Sequence, residues 1–149
     1  MNKPGLLLLP VLLFPCLPSL TASAIAQTCR VNCGRSENGH LMYKEVFEYD
    51  FVTEKPSYPG GDSKLIGFIN STRSYPAEAY RRGVQGRVTC AFIVNTDGSV
   101  SDVQVLKGVE PSLNREAVRI LALMPHWQPG KINGRPVPVR VIRSVPFRK

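Results

Sequence analysis

Two segments joined by a short turn constrain the fold of this 149-residue chain more than any other feature. Residues 87–94 alternate between apolar and polar side chains, as expected for a strand with one buried face. The tetrapeptide at 95–98, Asn-Thr-Asp-Gly, is a strong turn signal and leads into a second strand-like segment at 99–107. Val100 is out of phase with the later valines of that segment, which predicts a β-bulge near Ser101–Asp102. The sequence therefore predicts a β-hairpin.

Three helices and a last strand are predicted around this hairpin. The helices are expected at residues 63–71, at 76–82, and between Pro111 and Pro125. Residues 137–147 alternate between apolar and polar side chains, which predicts a strand. Together with the hairpin, these elements predict an α+β fold in which a three-stranded antiparallel sheet packs against two or three short helices.

The first of these helices has a predicted cap and a predicted buried face. Asp62 or Ser63 precedes its apolar residues, and either side chain is expected to cap the helix. The apolar residues are expected to share one face that covers the sheet. They are Leu65, Ile66 and Ile69.

The chain divides into three parts. Residues 56–149 form the predicted domain, which begins where the prolines and glycines of 56–61 break the preceding pattern. Residues 27–55 form an N-terminal extension, in which the alternation over 44–53 predicts a short strand. The side chains predicted to share one face of that strand are Phe47, Tyr49 and Phe51. Residues 1–26 differ from both parts in composition.

Residues 1–26 have the layout of a secretory signal peptide, with a positively charged start and apolar runs. The small residues Ala24 and Ala26 precede Gln27 at the expected cleavage site. A spanning helix needs about 20 apolar residues, and prolines interrupt a shorter run here. We expect cleavage after Ala26; an uncleaved membrane anchor and lipidation at Cys16 are the alternatives.

Three cysteines follow the predicted leader, in a compartment that permits disulfides. Cys29 and Cys33 are disulfide candidates because they can close a small loop, which would leave Cys90 as a core residue. Pairing of one of them with Cys90 is the alternative. A metal site formed by Cys29, Cys33 and His40 does not match a common zinc spacing. We expect no bound metal and no cofactor.

The chain is basic, with a formal net charge of +8. Five arginines are candidates for a basic surface that attracts acidic segments or anionic envelope polymers, or that is simply solvated. They are Arg81, Arg82, Arg140, Arg143 and Arg148. Nucleic acid is a poor partner for a secreted chain. No catalytic triad spacing or paired-acid motif is present in the sequence, so we expect no catalytic residue and no enzymatic activity.

Four motifs, in this order, resemble the C-terminal domain of TonB in the form common in energy transducers of Bacteroidetes type. They are PSYPGG at 56–61, SYPAEAYRRGVQGRV at 74–88, NTDGSVSDVQVLKGVEPSLNREAVRIL at 95–121, and MPHWQPGKINGRPVPVRVIRSVPFR at 124–148. Each motif is weak by itself, whereas their order and spacing are specific. The resemblance covers nearly all of the predicted domain.

The resemblance implies a periplasmic domain that captures the TonB box, a short extended segment of TonB-dependent outer-membrane receptors, by adding it as a strand. It also implies that the inner-membrane partners ExbB and ExbD supply force from the proton gradient. The receptor then admits iron complexes, vitamins or glycans. A weak dimer is compatible with the sequence.

Two departures from the family pattern bear on this role. Residues 27–55 contain no Pro-rich spacer, and the N-terminal hydrophobic segment has no His of the kind that engages ExbB and ExbD in the family. We therefore doubt coupling to ExbB and ExbD. The alternative function is a released periplasmic adaptor module that recognises another envelope protein or peptidoglycan without energy transduction. An inner-membrane location would follow if the N-terminal segment is not cleaved.

The last predicted strand carries a candidate binding edge. Pro138 and Pro146 have the same parity, so both lack an N–H on the same lateral side, and prolines favour edge strands. The residues between them keep their N–H groups for pairing with a partner strand; a merely solvated edge is the alternative. Tyr80 lies where enterobacterial relatives carry a Gln that touches the receptor, or it packs on the first helix. The candidate partner-binding residues are Tyr80, Arg140, Val141, Ile142, Arg143 and Ser144.

Overall fold

The computed structural model describes the main chain of residues 28–35 and 41–149, and the side chains from residue 44 onward. The signal-peptide prediction for residues 1–26 lies outside the described residues. The described strands are β1 (Thr28–Arg35), β2 (Leu41–Glu48), β3 (Gly86–Val94), β4 (Val100–Lys107), β5 (Lys131–Ile132), β6 (Arg135–Pro136) and β7 (Val139–Phe147). The described helices are α1 (Gly61–Thr72), α2 (Ala77–Arg81) and α3 (Pro111–Ala122).

Strand β3 is the centre of the antiparallel unit that the sequence predicts. It pairs with β4 through the hairpin and with β7 over its full length, from Gly86 opposite Phe147 to Val94 opposite Val139. The predicted three-stranded antiparallel sheet, its helices and the α+β class are confirmed. The sheet in the described part of the chain is larger than predicted, because β1 and β2 extend it to the order β1-β2-β7-β3-β4.

Strand β2 joins β7 in parallel orientation. The pairing covers only two positions: Phe47 opposite Val139 and Glu48 opposite Arg140. The N–H of Phe47 donates to the C=O of Pro138 over 2.9 Å. The chain then leaves the sheet through a single 3-10 turn at Tyr49–Phe51. The strand predicted over 44–53 thus ends early, and the prediction for Phe51 is wrong, since this side chain is 48% exposed.

The core lies between one face of the sheet and helices α1 and α3. The even-numbered side chains of β3 point into it, and so do the odd-numbered side chains of β7 other than Arg143, as their alternation predicts. Helix α3 contributes four fully buried residues: Leu113, Ala117, Ile120 and Leu121. Cys90 is also fully buried, which confirms its predicted place in the core.

Helix α1 differs from its prediction at both its start and its buried face. The helix begins at Gly61, so Asp62 lies inside the first turn, and the capping position belongs to Gly60 in left-handed conformation. The predicted side-chain cap is therefore wrong. Leu65 and Ile69 are buried, whereas Ile66 is 59% exposed. Neighbouring helix positions point about 100° apart, so Leu65 and Ile66 do not share the buried direction.

Trp127 joins three of the sequence motifs in the core. Its ring packs edge-on against Tyr58 and Phe92, with ring centroids 5.6 Å and 5.4 Å away. The main-chain N–H of Trp127 donates to the C=O of Gly98, in the hairpin turn, over 2.8 Å. The β-bulge predicted for the same hairpin is present, and Asp102 adopts a φ of 53° there. One aromatic residue thus fixes the hairpin turn against the start of the domain.

The N-terminal extension contributes an antiparallel pair, β1 and β2. Strand β1 runs extended through Cys29 and Cys33. The register shifts between Asn32 and Gly34, next to Cys33. The side chains of Cys29 and Cys33 lie outside the described residues, so their pairing stays a prediction. None of the helices in the described part of the chain is long and apolar enough to span a membrane.

Candidate functional site

Strand β7 is covered unequally on its two sides. It pairs with β3 at every position, but with β2 only as far as Arg140. Among the described residues, no strand pairs with β7 on the β2 side beyond Arg140. The prediction of an edge strand is therefore wrong for the first residues of β7, which lie inside the sheet, and residues 142–146 form what we call the open edge.

The direction of the main-chain groups follows from the contact with β2. The N–H and C=O of one strand residue point to the same side, and those of the next residue point to the opposite side. Because the C=O of Pro138 accepts a hydrogen bond from β2, the even-numbered residues of β7 face the open side. Proline has no N–H, so Pro146 offers only its C=O. The open edge thus presents the N–H groups of Ile142 and Ser144.

Two arginines cover carbonyl groups of the open edge. Nη1 of Arg143 donates to the C=O of Ile142 over 2.9 Å. Nη1 of Arg73, which follows α1, donates to the C=O of Pro146. A side chain that occupies an edge carbonyl hinders pairing with another copy of the strand. The two guanidinium groups therefore protect the ends of the open edge and leave its N–H groups accessible.

Arg73 is held in place by hydrogen bonds to the residues on either side of it. The N–H of Ser74 donates to Oε1 of Glu116 over 2.7 Å. Nη2 of Arg119 donates to the C=O of Thr72 over 2.9 Å and to the same Glu116 carboxylate over 2.6 Å. The hydrogen bond from Arg119, aided by that from Ser74, holds the pKa of Glu116 below its ordinary value, against the opposing effect of burial. Helix α3 thus anchors the end of α1.

Replacing Glu116 with Gln is expected to lower the free energy of unfolding by about 1 kcal/mol at neutral pH, because a charged hydrogen-bond acceptor is lost. The folded-state pKa of Glu116 is depressed, so its contribution is present above its ordinary value of 4.5 and is lost as the pH falls through the folded value. The variant and the native chain should therefore converge in acid. Urea unfolding at neutral pH and at about pH 3 checks this. Glu78→Gln, the same change on exposed α2, is the control, and an equal effect from it would contradict the assignment.

Besides Arg143, the structure places the predicted binding residues of β7 in three different environments. Ile142 is 47% exposed on the open edge, and Ser144 beside it lies 3.1 Å from the Thr89 hydroxyl of β3. Arg140 lies where β2 pairs and approaches Glu48 at 3.6 Å. Val141 is fully buried, so its side chain supports the strand from the core and is not available to a partner.

Tyr80 lies beyond the C-terminal end of the open edge and is half exposed. Its ring packs edge-on against Tyr75 at 5.5 Å, and Tyr75 packs against Phe147 at 5.8 Å. Nζ of Lys149 lies 4.6 Å from the Tyr80 ring centroid. Tyr80 thus packs on Tyr75, in the segment between α1 and α2, and its exposed side remains near the end of β7.

Three of the five predicted basic residues lie beside an acidic side chain. Arg82 pairs with Glu110 and Arg140 with Glu48. Arg143 lies 4.0 Å from Asp62 and 5.7 Å from the Tyr49 ring centroid. The role of Arg73 was not predicted, because nothing in its local sequence indicates that it reaches a carbonyl of a strand much later in the chain.

The described residues contain neither a cluster of metal ligands nor an activated thiol. Among residues 44–149, no group of three or more His, Cys, Asp or Glu side chains could hold a metal ion. Burial raises the pKa of the Cys90 thiol, which keeps it in the unreactive protonated form. The open edge of β7 is the feature of the described chain best suited to binding.

Residues 71–148 match the family model described as Gram-negative bacterial TonB protein C-terminal. Protein TonB of Helicobacter pylori is 37% identical over 67 residues, which make up 44% of this chain and 24% of that protein. Protein TonB of Pseudomonas aeruginosa is 33% identical over 84 residues, which make up 54% of this chain and 25% of that protein. The chain therefore spans about a quarter of the length of the curated relatives it matches.

Two solved structures also align with the chain. The NMR solution structure of Helicobacter pylori TonB-CTD has 27% identity and a TM-score of 0.46, and the alignment covers 58% of this chain and 78% of that one. The solution NMR structure of Pseudomonas aeruginosa TonB CTD has 32% identity and a TM-score of 0.42, with 52% and 78% covered.

The matched family is a non-enzymatic protein-interaction domain associated with transport. That the domain has the Bacteroidetes form stays a prediction. The residues that match the family model make up more than half of the chain, and the chain therefore belongs to the Gram-negative bacterial TonB protein C-terminal family.

Proposed function

We propose that this protein binds the TonB box of TonB-dependent outer-membrane receptors, which pairs as an added strand with the open edge of β7. The observation that supports this is the pair of outward N–H groups at Ile142 and Ser144, on a strand whose other side is fully paired. Strand addition supplies main-chain hydrogen bonds, and the neighbouring side chains supply specificity.

The firm packing of β7 suits a binding edge that bears force. Each residue of β7 from Val139 to Phe147 pairs with β3, and its odd-numbered side chains other than Arg143 are anchored in the core. Pulling on an added strand would therefore load the whole domain. In our proposal the domain transmits force in transport of iron complexes, vitamins or glycans, in the periplasm, and ExbB and ExbD are the force-generating partners of the family.

Replacing Ile142 with Pro is expected to abolish binding of a TonB-box peptide while the domain still folds. The N–H of Ile142 points away from β3, so proline removes a donor for the partner but none that holds β7 to β3. Binding is measured by fluorescence anisotropy with labelled TonB-box peptides from receptors of the same cell. Folding is measured by cooperative thermal unfolding.

Ile142→Ala is the matched control, because it shortens the side chain and keeps the N–H. It should weaken binding only modestly, so that the difference between the two variants reports the main-chain hydrogen bond. N-methylation of alternate peptide residues, which removes the partner's own donors, should abolish binding to the native chain. Unchanged affinity for the Pro variant or for the methylated peptides would rule out strand addition at this edge.

A further inference from the structure

Helix α1 runs alongside the open edge of β7. Near its start, Asp62 lies 4.0 Å from Arg143 of β7. Just beyond its end, Arg73 reaches the C=O of Pro146. Asp62 and Arg73 are eleven positions apart, which is about three helical turns, so both lie on one stripe of the helix. This stripe faces the open edge.

Ile66 lies on the same stripe, one turn after Asp62. It is the most exposed of the large apolar side chains in the described part of the chain, at 59%. Leu65 and Ile69 lie to the opposite side of Asp62 from Ile66 around the helix axis, and they account for the packing of α1 on the core. The core therefore does not need Ile66, whose side chain borders the space between α1 and the open edge.

The two arginines that cover the open edge stand at either end of this space. They bind the carbonyl groups of Ile142 and Pro146, which are four strand residues apart, or about 13 Å. An added strand would satisfy these carbonyls with its own N–H groups and release the guanidinium groups. Released guanidinium groups pair well with carboxylates.

We propose that the groove between α1 and the open edge selects an extended segment with the pattern acidic-x-apolar-x-acidic. This inference rests on the proposed function, because it assumes a strand added at the open edge. Residues i, i+2 and i+4 of a strand line one face and span about 13 Å. The two acidic side chains meet Arg143 and Arg73, and the apolar side chain between them packs on Ile66.

The charges around the groove favour an acidic segment. Arg73, Arg143 and Lys149 lie along or beyond the open edge. The acidic side chains of Asp50 and Glu48, which also lie near Ile142, are already paired with Lys55 and Arg140. Asp62 opposes this preference. Its contact with Arg143 is long, at 4.0 Å, and its own side chain is 81% exposed. Exposed pairs contribute little, so a carboxylate of the partner can replace Asp62.

Three synthetic peptides test the pattern by fluorescence anisotropy against the purified full chain at low salt. The first is Thr-Glu-Thr-Val-Thr-Glu-Thr. The second replaces both Glu residues with Gln. The third, Thr-Glu-Thr-Val-Glu-Thr-Thr, keeps the net charge but places its second Glu on the opposite face of the added strand. We expect the first to bind about tenfold tighter than the second, since exposed ion pairs each contribute a few-fold. The third should lose most of this advantage.

Variants of the chain assign the effect to the groove. Arg73→Gln and Arg143→Gln should each reduce the preference for the first peptide and leave the Gln peptide unchanged. Arg135→Gln, on the exposed hairpin of β5 and β6, makes the same change in net charge and should have no effect. Asp62→Asn should strengthen binding of the first peptide. Ile66→Ser should weaken binding of the first peptide, but not of a version of that peptide in which Ser replaces the central Val.

The outcomes separate the two levels of the proposal. If none of the three peptides binds, although receptor TonB-box peptides bind the native chain and not the Ile142→Pro variant, the acidic pattern is wrong and strand addition stands. If the TonB-box peptides also fail to bind, strand addition at the open edge is overturned and the inference fails with it. If all three bind equally, or if Arg135→Gln acts like Arg73→Gln, strand addition stands and the acidic pattern is wrong. A tenfold preference that disappears in both groove arginine variants supports the proposal.

Discussion

Gly98→Ala is expected to destabilise the domain by about 4 kcal/mol, one of the two largest effects of a single substitution that we predict. Gly98 adopts a φ of +88° in the hairpin turn, which strains any residue with a Cβ atom. A Cβ added there would lie 2.0 Å from the carbonyl oxygen of Trp127. The Trp127 main chain cannot retreat easily, because its N–H already donates to the C=O of Gly98 over 2.8 Å.

Gly134→Ala separates the two causes of the lost stability at Gly98, which are backbone strain and the clash with Trp127. Gly134 has a φ of +78° in the exposed turn between β5 and β6, and an added Cβ would meet no atom within 4 Å. Only the backbone strain remains, so we expect a cost of about 1 kcal/mol. Urea unfolding of both variants measures the difference. Equal losses would mean that the contact with Trp127 is not what makes Gly98 necessary.

Trp127→Ala is the second large effect, with an expected loss of about 4 kcal/mol. Its side chain is 3% exposed and lies between Tyr58 and Phe92. Removing it opens a cavity that the neighbouring rings cannot fill without moving. It also loosens the contact between the hairpin turn and the start of the domain, so cooperative unfolding should be visibly broadened.

Trp127→Phe distinguishes packing from hydrogen bonding at this position. Within the described residues, the buried Nε1 of Trp127 has no hydrogen-bond partner. Replacing the indole with a phenyl ring therefore loses volume but no hydrogen bond, and we expect a cost of less than about 2 kcal/mol. A loss as large as that of the Ala variant would show that the indole nitrogen matters, for example through a water molecule.

The elements that depend on local pattern were predictable from sequence. The strands β3 and β7, the hairpin turn with its bulge, and helix α3 follow from periodicity and turn residues within short windows. The parity of Pro138 and Pro146 also identified which side of β7 carries the accessible N–H groups, because alternation is a property of the strand itself.

The candidate site was only partly predictable, since it depends on distant segments. Nothing local to β2 indicates that it pairs with β7 as far as Arg140 and then turns away at Tyr49. Ile66 was assigned to the core because its spacing fits a helix face, whereas the angle at which α1 sits on the sheet decides which side is buried. Arg73 reaches Pro146 across 73 positions of sequence.

The sequence by itself determined the class of fold, the family and the strand whose edge is a candidate for binding. These rest on the periods of strands and helices, on turn chemistry and on the order of four motifs, which are all read along the chain. The tertiary structure decided how much of that edge is open, which arginines cover it and which apolar side chain borders it. These depend on how β2 and α1 pack against β7, and packing between segments far apart in sequence is set by the whole core rather than by any local pattern.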